Sequence, residues 1–172
     1  MPHSQKKPHA ETDTTPEVRL LLDNIRSVHN IGSIFRTAET AGVSKIYCLG
    51  TTPTPLDRFG RKRKDLTKVA LGAEELVEWE HVDDSFASIG RLIRRLKSEG
   101  FQVIAIEQAP NSVDYREVKP HEKSLFILGN EIGGVSQMIL KMADVIAEIP
   151  LKGKKESLNV SVVAGIVLYA IV

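Results

Sequence analysis

The sequence predicts an α/β fold with a mostly parallel sheet and flanking helices. Short apolar runs of strand length alternate along the chain with segments whose apolar residues recur at helical spacing. Such alternation is typical of parallel strands that are joined by helices. The chain has 172 residues, of which 42% are hydrophobic and 26% are charged. These values suit one globular domain with a single substantial core.

The first half of this fold begins with a predicted strand at 18–23. A helix follows from about Asn30, which is expected to cap it, and Gly42 is expected to end it. A second strand covers 45–49, and a weak helical pattern occupies 66–75. A stronger helix is predicted over 84–98, with these residues pointing inward: Phe86, Ile89, Leu92, Ile93 and Leu96.

The second half is predicted to contain strands at 101–106, 124–128 and 145–149, with a short helix over 136–142. A last helix runs from about Ser157 to the C-terminus and is apolar on nearly every side. Such a helix must be buried, either in the core or against another subunit. Ligands of parallel sheets bind in loops at the carboxyl ends of strands. Three such loops carry unusual polar residues, at 29–36, 129–134 and 150–159.

The two ends of the chain and its cysteine usage bear on domain organisation and location. Residues 1–16 are polar, contain three prolines and lack the apolar stretch of a secretory signal, so they are expected to form a disordered tail before a domain at 17–172. No window approaches the roughly 20 apolar residues of a membrane span. The single cysteine, Cys48, lies in an apolar run and is expected to be buried and inert. These features suit a cytoplasmic protein.

Motifs of several familiar enzyme classes are absent from the sequence. There is no G-x-G-x-x-G after the first strand, no G-x-x-x-x-G-K-[ST] and no G-x-S-x-G. These absences disfavour dinucleotide-binding domains, P-loop NTPases and nucleophile-elbow hydrolases. The five histidines show no metal-ligand spacing. The chain is therefore expected to need neither a metal nor a covalent nucleophile.

Polar residues in apolar or glycine-containing surroundings are the remaining candidates for chemistry. Arg36 lies among apolar residues of the first helix, where it is either directed into a site or simply exposed. Glu131 lies in a turn between Gly129 and Gly133, and glycines permit a close approach of ligand to backbone. The same turn could equally be a plain strand-to-helix connection with a solvated glutamate.

The start of the last helix carries a second pair of polar candidates. Ser157 could be an N-cap and nothing more. Asn159 precedes an apolar helix, and a buried amide there would require hydrogen-bond partners. From these residues alone, a structural role for both is as acceptable as a functional one.

Taken in order, the segments NIGSIFRTAETAG, LGNEIGGVS and IPLKGKKESLNVSVVAGIVLY closely resemble the three motifs of the SpoU/TrmH family of SPOUT RNA 2′-O-ribose methyltransferases. The resemblance extends from about Leu20 to the C-terminus. It implies methyl transfer from S-adenosylmethionine to a ribose 2′-hydroxyl of RNA. It also implies a C-terminal deep trefoil knot, which is very rare among folds and which periodicity could not indicate.

The resemblance further implies a homodimer with its site near the subunit interface. Arg36 matches the family's catalytic arginine, but a guanidinium with a pKa above ~12 is a poor base. We therefore interpret it as binding a neighbouring phosphate and orienting the hydroxyl. The matching residues that shape the site are Asn30, Glu131, Ser157 and Asn159. Those near the cofactor are Leu128, Gly129, Gly133, Ile149 and Leu158.

A basic cluster follows the second strand, although the net charge of the chain is only +1. It is expected to contact the RNA backbone, and a solvated loop is the alternative. Its members are Arg58, Arg61, Lys62, Arg63, Lys64 and Lys68, with Lys152, Lys154 and Lys155 as further candidates. Transfer RNA is favoured as substrate. Ribosomal RNA, base methylation and a non-catalytic RNA-binding protein of the same fold are the alternatives, while a small-molecule enzyme would leave the cluster without a role.

Overall fold

The computed structural model describes residues 16–171, so most of the predicted tail, residues 1–15, and Val172 lie outside the described residues. Seven strands form one sheet in the order β3-β2-β1-β6-β4-β7-β5, and every pairing is parallel. The predicted α/β fold is confirmed. The strands are β1 Glu17–Asp23, β2 Lys45–Leu49, β3 Glu78–Val82, β4 Gln102–Ile106, β5 Val113–Asp114, β6 Lys123–Gly129 and β7 Val145–Glu148.

Helices cover both faces of the sheet. Strand side chains alternate between the faces: Leu20 and Leu22 belong to one apolar cluster and Leu21 to the other. The helices α1, α2 and α6 contribute to the first cluster, and α4 and α5 to the second. Their bounds are α1 Val28–Thr40, α2 Lys64–Ala70, α3 Ala73–Leu76, α4 Phe86–Ser98, α5 Gln137–Met142 and α6 Val160–Ala170.

The start of α1 differs from the prediction. Asn30 is not its cap, because the Ser27 hydroxyl accepts the hydrogen bond from the Asn30 backbone N–H at 3.2 Å. Serine and asparagine are about equally good caps, so the sequence did not distinguish them. The earlier start places Asn30 inside the first turn and leaves its side chain free for other partners. Gly42 has a φ of +76° and follows the helix end, as predicted.

The structure between β2 and β4 differs from the prediction at three places. The 66–75 segment forms two short helices, because Leu71 and Gly72 adopt left-handed conformations with φ of +54° and +94°. The edge strand β3 was missed, since its sequence EWEHV is rich in charge and buries only Val82. Phe86, predicted to point inward, begins α4 and is 74% exposed. The other four residues predicted to face the core are buried.

The last helix, α6, is also shorter and less enclosed than predicted. Ser157 is not its cap: the Asn159 side chain accepts from the Ser161 backbone N–H at 2.8 Å, and the helix starts at Val160. Asn159 itself is exposed in the single chain rather than buried. One face of α6 packs on the core, whereas Val162 and Tyr169 on the rest of the helix are 49% and 64% exposed.

Cys48 is fully buried in β2, as predicted. Burial raises the pKa of its thiol to about 12, because the thiolate would lose its hydration. The thiol is therefore inert at neutral pH. Among the helices of residues 16–171, none is long and apolar enough to cross a bilayer.

Candidate active site

The carboxyl ends of β4, β6 and β7 open into a cleft of about 430 Å³. The loop after β6 and the segment before α6 form its walls. Glu131 and Ser157, two of the predicted catalytic residues, line it. All five residues predicted to lie near a cofactor line it as well: Leu128, Gly129, Gly133, Ile149 and Leu158. These five residues lie up to 30 positions apart in sequence and are brought to one cavity.

The loop that follows β6 is a compact turn held by its own polar groups. The Asn130 side-chain oxygen accepts from the backbone N–H groups of Ile132 and Gly133 at 3.1 and 2.7 Å. Gly134, with a φ of +64°, donates its N–H to the Asn130 carbonyl at 3.0 Å. The loop folds back so tightly that a Cβ on Gly129 would lie 2.1 Å from the Gly134 carbonyl carbon. The cleft wall therefore presents backbone groups in fixed positions.

Two carboxylates, which sequence reasoning missed, attach this loop to the strands on either side of β6. Asp23 at the end of β1 accepts from the Ser136 backbone N–H at 2.8 Å. Glu107, directly after β4, accepts from the Val135 backbone N–H at 2.7 Å. Each is an acidic residue at the carboxyl end of an apolar strand, which is the signal that could have identified it. Together they hold the loop from both sides.

Replacing Asp23 by alanine is expected to lower the free energy of unfolding by about 1–3 kcal/mol, because the Ser136 N–H would lose its acceptor in a buried place. Asp23 is only 2% exposed. Urea denaturation followed by circular dichroism measures the change. The matched control is Asp23→Asn, which keeps an acceptor oxygen and should lose less. Equal midpoints for the wild type and Asp23→Ala would contradict this role.

A polar network joins the three motif segments at the rim of the cleft. The Asn30 side-chain N–H donates to a Glu131 carboxylate oxygen at 2.5 Å, and the Asn159 side-chain N–H donates to the Asn30 carbonyl oxygen at 3.2 Å. These partners are 101 and 129 residues apart in sequence. Three of the predicted catalytic residues thus meet directly, and Ser157 lies in the adjoining cleft.

Arg36 is not brought to this network within one chain. It lies six residues after Asn30 on α1, about 9 Å further along the axis and roughly a third of a turn around it. Its side chain is exposed and pairs with no acid in the described part of the chain. Among residues 16–171, those lining the cleft do not include Arg36.

The basic cluster divides into paired and unpaired cations. Arg61 pairs with Asp57 at 2.8 Å, Lys62 with Glu75, and Arg63 with Asp65 at 3.2 Å. The remaining three, Arg58, Lys64 and Lys68, form no ion pair with any residue between 16 and 171. Lys152, Lys154 and Lys155 are exposed in the segment before α6, beside the cleft.

The sequence also matches the model of a known protein family. The sequence model of the SpoU rRNA Methylase family matches residues 17–169, which include all three motif segments and every element of the sheet. The chain belongs to this family. The resemblance to the SpoU/TrmH motifs is thereby confirmed.

Individual relatives are similar to this chain over most of its length. A tRNA (guanosine(18)-2′-O)-methyltransferase of Aquifex aeolicus is 35% identical over 150 residues, which are 87% of this chain and 66% of that protein. A 23S rRNA (guanosine-2′-O-)-methyltransferase of Neisseria meningitidis is 32% identical over 158 residues, which are 92% and 59% of the two chains. This SpoU-family chain therefore spans less than two thirds of either relative.

A solved structure shares the fold. The AdoMet-bound rRNA methyltransferase from Sinorhizobium meliloti superposes with a TM-score of 0.79 and 29% sequence identity. The superposition covers 90% of the SpoU-family chain and 55% of the other protein. The parallel sheet and its flanking helices thus correspond to those of a known methyltransferase.

Proposed function

We propose that this chain is an S-adenosylmethionine-dependent RNA 2′-O-ribose methyltransferase, formed by one domain at 17–172. The observation that carries the proposal is the cleft with the Asn30–Glu131–Asn159 network at its rim. A small-molecule cavity and a set of polar residues for a second substrate lie side by side there. The names of the relatives, which include tRNA and rRNA 2′-O-methyltransferases, support the same reaction.

The cleft fits the proposed cofactor in size and chemistry. A volume of about 430 Å³ lies within the roughly 300–1,000 Å³ of small-molecule sites. Leu128, Ile149 and Leu158 provide apolar walls for a heterocycle. Glu107 and Glu148 place acidic groups where a cationic donor would be attracted. When bound, the cofactor would supply an activated methyl group on a sulfonium.

The tasks left to the chain are to bind, orient and hold the RNA. The donor is already activated, so alignment of the attacking hydroxyl provides much of the rate. Asn30, Glu131 and Asn159 would hold the ribose or a catalytic side chain through their network, with Ser157 next to them. Arg36 would bind the neighbouring phosphate in a bidentate manner.

We also propose a homodimer with the cleft near the subunit interface. Arg36 lies outside the cleft of its own chain, so a second copy is the simplest way to bring it to a reacting ribose. The exposed apolar residues Val162 and Tyr169 of α6 provide a surface for that contact. Tyr169 donates a hydrogen bond to the Thr40 hydroxyl at 3.0 Å, so α6 and the end of α1 form one continuous surface.

The deep trefoil knot is part of the same proposal. β7 lies beyond β4, on the side away from β6 and β1, whereas α6 packs on α1 and β6. The segment 149–159 must therefore cross back over the carboxyl ends of the strands, next to the loop after β6. A crossing at this place is what a C-terminal knot requires.

If the basic cluster binds RNA, its unpaired cations should contribute more to binding than the cations that already pair with acids. Replacing the unpaired Arg58, Lys64 and Lys68 by glutamine should weaken RNA binding and reduce the salt slope by about 0.7–0.9 per lost phosphate contact. The control replaces Arg61, Lys62 and Arg63 in the same way. It removes the same charge but should weaken binding less, because these cations already pair with acids. Anisotropy titrations over a range of salt would measure both, and equal slopes for both variants would contradict the division.

The substrate is proposed to be tRNA in preference to rRNA, and a cytoplasmic location is part of the same proposal. The test of the proposed function is transfer of labelled methyl groups from S-adenosylmethionine to total tRNA and total rRNA in parallel. Nuclease digestion then identifies the labelled nucleotide. Label in neither pool, with intact cofactor binding, would contradict the proposal.

A further inference from the structure

A small hairpin lies between β2 and α2, and hydrogen bonds fix the conformation of its tip. Leu56 and Lys62 form an antiparallel bridge, and the Asp57 carboxylate accepts from the backbone N–H groups of Phe59 and Arg61 at 2.8 and 3.0 Å. Gly60, with a φ of +75°, donates its N–H to the Asp57 carbonyl at 2.9 Å. The tip is thus a fixed turn.

This turn exposes an aromatic ring. Phe59 is 65% exposed, although burying a phenylalanine is worth about 1.5–3 kcal/mol. The guanidinium carbons of Arg58 and Arg61 lie 4.7 and 4.9 Å from its ring centre. An exposed ring with two cations beside it is a combination that favours a flat, anionic partner.

The hairpin also lies on the same edge of the molecule as the cleft. The buried Thr52 hydroxyl donates to the Leu22 carbonyl at 2.9 Å and accepts from the Ile25 N–H at 3.1 Å, which fixes the loop to the end of β1. β1 is the direct neighbour of β6, at whose carboxyl end the cleft opens. A cavity of about 770 Å³ adjoins Phe59 and Arg58 and has Thr51, Thr54 and His81 in its wall. There is room for a base beside the ring.

We propose that Phe59 is a stacking platform for an unpaired RNA base, which takes the place of the Arg58 guanidinium on the ring, and that Arg58 then binds the phosphate of that nucleotide. The inference rests on the proposed RNA substrate and adds to it a preference for single-stranded or splayed-out nucleotides near the target. Bases stack on aromatic side chains irrespective of their identity, and unpaired RNA is where proteins find such bases. Of the two cations beside the ring, Arg58 is suited to the phosphate because it has no acid partner within residues 16–171, whereas Arg61 pairs with Asp57.

The test compares Phe59→Ala with Phe86→Ala in the full chain. Phe86 is a matched control, since it is 74% exposed and lies on α4, at the other face of the sheet. Each variant is titrated by anisotropy with a labelled single-stranded RNA and with an abasic version of the same length. Phe59→Ala should bind the RNA about tenfold more weakly with an unchanged salt slope, because no cation is lost. The Phe86→Ala variant should bind like the wild type.

The abasic strand and a second variant distinguish base stacking from a general loss of RNA binding and from a protein–protein contact. The wild type and Phe59→Ala should bind the abasic strand equally, and Phe59→Trp should retain RNA affinity with its indole fluorescence quenched on binding. Equal binding of the base-containing RNA by the wild type and Phe59→Ala would overturn the proposal. So would a change in oligomeric state of Phe59→Ala, which would instead make the ring a protein contact. Methyl transfer by the wild type is measured separately, so failure of the proposed function remains distinguishable.

Discussion

Replacement of Arg36 by alanine is expected to lower methyl transfer by at least about a hundredfold, which is the size of effect seen when one hydrogen-bond donor to a reacting centre is removed from other enzymes. Cofactor affinity should stay within a few-fold of the wild type, because Arg36 is exposed on α1 and lies outside the cleft. Transfer to RNA under single-turnover conditions measures the first quantity, and calorimetry measures the second.

Two further variants test whether the effect of Arg36→Ala is due to the loss of this particular guanidinium group. Arg36→Lys keeps the charge but loses the planar fork, so most of the loss should remain if bidentate phosphate binding is the role. Arg94→Ala removes another exposed arginine, on α4, and should leave methyl transfer unchanged. Loss of cofactor binding in Arg36→Ala would mark the residue as structural. An unchanged rate would show that it takes no part in the reaction.

Replacement of Gly129 by alanine is expected to have the second large effect. The added Cβ would lie 2.1 Å from the Gly134 carbonyl carbon and 2.2 Å from the Val135 nitrogen, so the loop after β6 would have to move. Overpacking of this kind costs about 1–3 kcal/mol or more. Displacement of the cleft wall should also weaken S-adenosylmethionine binding by at least about tenfold, which corresponds to about 1.4 kcal/mol and lies in the lower half of that range. Calorimetry and thermal unfolding measure the two effects.

Gly153→Ala is the matched control for this prediction. Gly153 lies in the segment before α6, which is the other wall of the cleft. A Cβ added there would have no neighbouring atom within 4 Å among residues 16–171, and the φ of Gly153 is not in the left-handed region. This variant should bind and unfold like the wild type. If Gly129→Ala bound the cofactor with wild-type affinity, the loop after β6 would not be part of the site.

The order of elements could be predicted because their apolar patterns are strong. β2 was predicted with its observed bounds, and the core face of α4 was correct except at Phe86. β3 was missed, since an edge strand buries too little to impose an apolar pattern. The caps of α1 and α6 were misplaced, because serine and asparagine compete for the same position.

The residues of the candidate site could be named from motifs, but their arrangement could not. No local pattern shows that Asn30 bonds to Glu131, since that contact depends on α1 and the loop after β6 meeting at the sheet edge. Asp23 and Glu107 could have been noticed as acids at the ends of apolar strands, but their role of holding backbone N–H groups of a distant loop depends on the fold. Nor did the sequence show that Arg36 lies away from the cleft of its own chain.

The position of the transferred methyl group tests the central claim most directly. RNA labelled by the protein from S-adenosylmethionine is hydrolysed in alkali, which requires a free 2′-hydroxyl to cleave each phosphodiester. We expect the label in an alkali-resistant dinucleotide, and none in an RNA whose target nucleotide is 2′-deoxy. Label released as a methylated base on an ordinary mononucleotide would contradict ribose methylation and assign the site to base chemistry.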